Sequence, residues 1–180
     1  MTSTTAPTIS VERADLLEIL STRRIFLIRA VEGLSDEQAA ATPTVSELCL
    51  GGLIKHVCRV EAGWAKFAQG DPSGVGGPKD WSDWGESDWA ARAAEFRMEP
   101  GETLASLLAE YAEVAGRTEQ LVRTLPSLDE SYPLPPAPWF PPGGHRTVRQ
   151  VFLHVAGETA QHAGHADIIR ETIDGTKSMG

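Results

Sequence analysis

Four polar side chains recur at helical spacing near the carboxyl end of the chain: His154, Glu158, His162 and His165. A helix turns about 100° per residue, so it would hold these side chains within an arc of roughly 80°. Apolar residues border the same arc, which indicates that this stripe faces a core. Imidazoles and carboxylates are costly to bury without partners. Such a stripe is therefore typical of a metal site, a hydrated pocket or a fully satisfied polar network.

Glu158 and His162 stand one helical turn apart, so their side chains could share a metal ion. A third ligand must come from another helix, and of the two histidines outside this stretch only His56 lies in a predicted helix. Gly52 and Gly63 flank its face. Glycine costs about 1 kcal/mol in a helix relative to alanine, so this pair indicates that space is wanted beside His56.

Two nitrogens and one carboxylate leave positions open around a divalent ion, as in catalytic rather than structural metal sites. We expect zinc, although iron, nickel and manganese accept the same donor types. His154 is expected to support the site without binding the metal. His165 is expected either to line the pocket or to hydrogen-bond a ligand. A Glu/His pair at this spacing also occurs on solvated helix faces, which is the competing structural interpretation.

Four principal helices are predicted to position these residues. Apolar periodicity and capping signals place them at residues 11–31, from 46 or 48 to 67, at 104–125 and at 147–174,. A short capped turn begins at Ser35. No convincing strand and no internal repeat is recognised. The predicted fold is all-α, a four-helix bundle of antiparallel or crossover topology.

Two long loops are expected to cover one end of this bundle. Residues 69–89 are rich in glycine and proline and then in tryptophan, whereas residues 127–146 contain six prolines around an aromatic pair. Loops of this length in a compact domain are often functional. We expect their aromatic side chains to form the walls of a binding pocket, namely Trp81, Trp84, Trp139 and Phe140.

Length and charge limit the remaining possibilities. A chain of 180 residues favours one domain over residues 1–180, with residues 1–9 flexible,. The net charge of -9, without a cluster of basic residues, argues against a nucleic acid or an anionic membrane as partner. Neither a signal-like N-terminus nor an apolar run of membrane-spanning length is recognised, which predicts a cytoplasmic protein. Cys49 and Cys58 should be free thiols, since about 13 Å of helix separates them.

The stretches that carry these residues resemble the DinB/YfiT-like superfamily of metal-dependent enzymes. The matching stretches are residues 44–64, 137–142 and 151–175. The chain looks closest to the actinobacterial branch that contains mycothiol-dependent S-transferases and maleylpyruvate isomerase. The resemblance implies a DinB-like bundle in which His56, Glu158 and His162 bind a divalent metal. Many superfamily members have histidine at the position of Glu158, whereas the isomerase branch has glutamate, so the resemblance favours the thiol-dependent branch.

The expected function is a divalent-metal-dependent transferase that conjugates a low-molecular-weight thiol such as mycothiol to an electrophilic small molecule. Two alternatives stay open. One is a metal-dependent hydrolase that uses metal-bound hydroxide, with Glu61 or His165 as the general base. The other is a non-catalytic, metal-binding bundle of the stress-response type. A homodimer that pairs through an exposed helix face is compatible with each of them.

Overall fold

Four long helices form the body of the molecule, for which the computed structural model describes residues 9–76 and 81–178. Six helices occur in these ranges: α1 (Val11–Arg29), α2 (Asp36–Ala40), α3 (Leu50–Phe67), α4 (Glu86–Ala94), α5 (Leu104–Thr124) and α6 (Val148–Asp174). The predicted all-α fold is confirmed. Most of the N-terminal stretch that was predicted to be flexible, and the side chain of Trp81, lie outside the described residues.

α1 and α6 run parallel to each other, as contacts at both of their ends show. Arg149, in the first turn of α6, pairs with Glu12 in the first turn of α1. Arg170, near the end of α6, donates a hydrogen bond to the carbonyl oxygen of Ala30 just after α1 (3.1 Å). The site-bearing helix α6 is therefore fixed to α1 at both ends.

Two apolar clusters fill the two ends of the bundle. The first joins the ends of α1 and α6 to the starts of α3 and α5, and includes Leu27, Leu53, Leu107 and Ile169. The second joins the opposite ends of the same helices and includes Leu16, Phe67, Val122 and Val151. α3 and α5 are therefore antiparallel to α1 and α6, and α3 packs against both α5 and α6. The connection from α3 to α5 must cross the length of the bundle.

Local sequence signals set the ends of the site-bearing helices. The Thr147 hydroxyl accepts from the Gln150 backbone N–H, and the Gln150 side-chain oxygen accepts from the Thr147 backbone N–H. This capping box begins α6 as predicted,. Gly175, at φ 78°, ends it in the left-handed conformation,. α3 begins later than predicted, because the Cys49 sulfur accepts from the Gly52 N–H and acts as the cap. Cys49 and Cys58 are both buried free thiols.

Two elements in the long connections were not predicted. The prediction that the chain has no strand was wrong in one place. A short antiparallel ladder is present, in which β1 (Ser131–Pro133) pairs with β2 (His145–Thr147). Three-residue strands are too short to show an alternating pattern. The other is α4, whose first four residues overlap the end of the stretch 69–89 that was predicted to be a loop. The Asp88 carboxylate accepts from the Gly85 N–H at 2.7 Å and so caps the start of α4. No helix within the described residues is long and apolar enough to span a membrane.

Candidate metal centre

Three side chains from two adjacent helices converge in the middle of the bundle. α3 supplies His56, and α6 supplies Glu158 and His162. One donor atom from each side chain lies within 4.8 Å of the other two. The rings of His56 and His162 face each other edge to face, with centroids 4.8 Å apart. The structure therefore brings together the three residues that the sequence nominated as metal ligands.

His56 is buried, with 3 % of its surface exposed. Its ring stacks on Phe96, with centroids 4.0 Å apart. Burial is the main cause that lowers the pKa of His56 to about 3, and the charges of His162 and Arg92 add to the effect. His56 is therefore a neutral imidazole at neutral pH. Its Nδ1 atom is buried and has no hydrogen-bond partner among the described residues.

His162 and Glu158 complete the donor set from successive turns of α6. Burial lowers the pKa of His162 to about 4, with a further contribution from His165. One carboxylate oxygen of Glu158 lies 3.7 Å from Nε2 of His162. Burial raises the pKa of the Glu158 carboxyl, against the effect of two nearby arginines. Two neutral imidazoles and one carboxylate are the ligands that suit a divalent transition metal, so these residues fit such an ion.

Two further histidines of α6 contact two of the three converging residues. Nδ1 of His165 lies 3.4 Å from Nδ1 of His162. Nε2 of His154 lies 3.8 Å from the second oxygen of Glu158, and its ring packs against Trp64 at 4.7 Å. Both histidines therefore lie where they could orient a ligand, as was expected of His154.

His56, Glu158 and His162 are called the triad below. A cleft of about 670 Å³ opens beside the triad, with His56, Glu158 and His154 in its wall. Its aromatic wall comprises Trp64, Trp84, Trp139 and Phe140. Three of these were predicted as pocket walls, and the long connections supply them. Its charged groups include Arg59, Asp88, Arg92 and Glu95. The cleft therefore offers apolar surface for a small molecule, with charged groups around it.

Several residues in or beside this cleft were missed by the sequence analysis. α4 and the residue after it bring Arg92 and Glu95 to the cleft, and Phe96 comes next and stacks on His56. Arg146 lies over the rings of Trp64 (4.5 Å) and Phe140 (5.7 Å). The Gly85 cap followed three residues later by Asp88 was the available signal for α4,. No local pattern marks Arg146, because it stands in a proline-rich connection.

Glu61 does not lie at this site, which corrects its candidacy as a general base. Its carboxylate is fully buried in the core. It accepts from Nη2 of Arg24 at 2.6 Å and from Nε at 3.3 Å. Glu61 follows His56 by five residues, about 140° around the helix, so it points to a different side of α3.

The space predicted beside His56 is present at both glycines, and backbone atoms occupy it. A Cβ atom on Gly52 would lie 1.8 Å from the carbonyl oxygen of Phe96. A Cβ atom on Gly63 would lie 2.1 Å from the carbonyl oxygen of Gly74. The space that these glycines leave is therefore occupied by the backbone of the segments that cover α3. It allows the cleft wall to approach, and a ligand does not fill it.

Comparison with known proteins finds a matching sequence family and a solved structure of similar fold. The sequence model of a family described as mycothiol-S-transferase matches residues 15–175. A crystal structure described as the conserved protein of a locus from Enterococcus faecalis aligns with a TM-score of 0.65 at 13% identity. The alignment covers 94% of this chain and 100% of the other, and at this identity it shows the fold alone. No curated protein gives a significant match.

Proposed function

The chain belongs to the mycothiol S-transferase family, within the DinB/YfiT-like superfamily, and on this premise we propose that it is a divalent-metal-dependent thiol transferase. Its reaction joins the sulfur of a low-molecular-weight thiol, such as mycothiol, to an electrophilic carbon of a small molecule. The observation that carries the proposal is the convergence of His56, Glu158 and His162, with donor atoms within 4.8 Å, at the edge of the cleft.

We propose that these three residues hold the metal, and zinc is the first candidate. Nickel, iron and manganese accept the same donors. Because the pKa of His56 is lowered to about 3 and that of His162 to about 4, both rings keep a free lone pair at neutral pH. When bound, such an ion lowers the pKa of a thiol beside it, so that the nucleophilic thiolate is available.

The electrophile would bind against the aromatic wall of the cleft. Trp84, Trp139 and Phe140 present apolar faces that exclude water and can stack on an unsaturated or aromatic molecule,. Holding thiolate and electrophile side by side removes much of the entropic cost of their meeting. With an epoxide or an activated double bond, the sulfur–carbon bond forms as the C–O bond or the C=C π bond breaks, and the thiol proton ends on the adduct. With an aryl halide, the carbon–halogen bond breaks, and halide and proton are released. Trp81 remains a predicted wall residue.

The test is conjugation of mycothiol to a panel of electrophiles by the zinc-loaded protein. The panel should include aryl halides, epoxides and activated double bonds. We expect a rate above that of the free thiol for at least one class, loss of that rate in His56→Ala, and retention in His145→Ala. His145 is the matched control, since it is exposed and hydrogen-bonds only to the Gly143 carbonyl among the described residues.

Two outcomes would contradict the proposal. The first is no rate above the free thiol with any electrophile. The second is turnover of esters or amides without added thiol, which would indicate the hydrolase instead. A metal-free variant that preserved the cellular phenotype would favour the non-catalytic bundle. A single domain, a cytoplasmic location and a homodimer remain predictions from the sequence.

A further inference from the structure

The Nδ1 atom of His56 is a buried nitrogen that lacks a hydrogen-bond partner among the described residues. A buried donor or acceptor left unpaired costs about 1–3 kcal/mol. An unpaired nitrogen on a residue predicted to bind the metal therefore requires a physical explanation. A carboxylate oxygen of Glu95, the residue that follows α4, lies 3.9 Å from this nitrogen. That separation is too long for a hydrogen bond and short enough for a side-chain rotation to close.

His162 shows what a complete arrangement looks like in the same site. Its Nε2 faces Glu158, and its Nδ1 faces a ring nitrogen of His165 at 3.4 Å. Histidines that bind metals almost always donate their second N–H to an acceptor, which fixes the tautomer and the ring orientation. His56 has its ring plane fixed by Phe96, but its tautomer is not fixed by any closed hydrogen bond among the described residues.

Glu95 has the freedom and the charge to fill this role. Its side chain is 26 % exposed, so it can rotate within the cleft wall. Arg92 donates to the same carboxylate at 2.5 Å and holds it near His56. Burial raises the pKa of Glu158, and the charge of Arg92 opposes that rise. The Arg92 guanidinium therefore interacts favourably with both carboxylates beside the cleft, and Arg146 adds a second positive charge near Glu158.

We propose that Glu95 is a positioning residue for His56. Its carboxylate accepts the Nδ1–H of His56, which selects that tautomer and leaves the Nε2 lone pair to bind the metal. The unpredicted helix α4 then contributes to metal affinity as well as to the cleft wall. This inference rests on the proposed metal site, and on the assignment of His56 as one of its ligands.

The test compares Glu95→Ala and Glu95→Gln with Glu86→Gln. Glu86 is the matched control, because it lies exposed at the start of the same helix and its change removes the same charge. The first readout is Zn²⁺ affinity from competition with a chromophoric chelator. The second is the His56 tautomer in the metal-free protein, from imidazole ¹⁵N chemical shifts assigned with His56→Ala.

We expect Glu95→Ala to lower Zn²⁺ affinity by about 10- to 100-fold and to reduce the Nδ1–H population of His56. Glu95→Gln should lie between Glu95→Ala and wild type, because its amide oxygen still accepts a hydrogen bond without the charge. Glu86→Gln should match wild type in both readouts.

The inference is overturned if Glu95→Ala keeps wild-type affinity and tautomer, or if Glu86→Gln loses as much affinity. Melting curves of the metal-free variants separate these results from unfolding. Failure of the proposed metal site has a different signature, since wild type would then bind no Zn²⁺, and failure of the transferase activity alone would leave both of these readouts unchanged. The tautomer of the metal-free protein would still decide the role of Glu95.

Discussion

Two buried ionisable side chains lie only five residues apart on α3, and they differ in whether other side chains pair with them. Glu61 is fully buried and holds two hydrogen bonds from Arg24. His56 is almost as buried, yet its Nδ1 has no hydrogen-bond partner in the described part of the chain, and its ring borders an open cleft. Burial alone therefore does not distinguish a functional group from a structural one. What distinguishes them is whether the protein itself satisfies the group.

The Arg24–Glu61 pair spans from α1 to α3, between the two apolar clusters. Arg24 also contacts Glu119 of α5 at 3.0 Å, so the pair links three helices. Paired charges of this kind stabilise little relative to apolar residues, but removing one partner is expensive. The triad differs, because its three donor groups lie close together and do not form a pair of opposite charges. That difference predicts different responses to substitution.

The largest effect is expected from Glu61→Ala, which leaves Arg24 charged and buried without its main partner. We expect a loss of about 3–5 kcal/mol in the free energy of unfolding, measured by urea denaturation. Zn²⁺ affinity of the folded fraction should not change. The double variant Arg24→Met/Glu61→Leu should recover most of the stability. A Glu61→Ala protein that folds normally but loses metal would place Glu61 in the site and erase the comparison.

His165→Ala should produce an intermediate effect on the triad side. Because His165 contacts the second nitrogen of His162, its removal should lower Zn²⁺ affinity by about 10- to 100-fold, equal to about 1.4–2.7 kcal/mol. The unfolding free energy of the metal-free protein should change far less. His145→Ala serves again as control. Unchanged affinity in His165→Ala would show that the contact does not orient a ligand.

His56→Leu should have a smaller effect on stability than Glu61→Ala. Leucine has a similar volume, and the partly exposed Glu95 carboxylate can be hydrated when its bond to Nδ1 is lost, so we expect the free energy of unfolding of the metal-free protein to change by no more than about 1 kcal/mol,. Metal binding should be lost at the same time. The measurement is thermal and urea unfolding in the presence of a chelator. A strong destabilisation would instead show that His56, like Glu61, is a satisfied part of the core.

Glu119→Gln should have the smallest effect. The Glu119 side chain is 40% exposed and is the outer partner of Arg24, so solvent screens the pair and the loss should stay below about 1 kcal/mol. Adding salt should reduce the difference from wild type further. A loss as large as that of Glu61→Ala would mean that the outer contact matters as much as the buried one.

The predictable parts of the structure are those with a local signal. Helical periodicity and caps marked α1, α5 and α6, and α3 with a start a few residues too early. The stripe on α6 together with one histidine on α3 was enough to nominate three residues that the fold brings together. The partner of Glu61 could not be predicted, since no pattern on α3 indicates that Arg24 faces it from another helix.

The cleft wall was only partly predictable, for a physical reason. Its aromatic residues stand out by composition, so Trp84, Trp139 and Phe140 were nominated before their positions were known. Arg92 and Glu95 stand on a nine-residue helix and at its end, just after a stretch rich in glycine, proline and tryptophan. Short helices gain most of their stability from tertiary packing, so local sequence carries little of their signal.

The central claim is that His56, Glu158 and His162 bind one metal ion while the Arg24–Glu61 pair does not. Elemental analysis of purified wild type, His56→Ala, Glu158→Ala and Glu119→Gln tests it most directly. We predict about one divalent metal per chain in wild type and Glu119→Gln, and loss of most of it in the two ligand variants. Metal that is absent from wild type after reconstitution, or retained by both ligand variants, would contradict the claim.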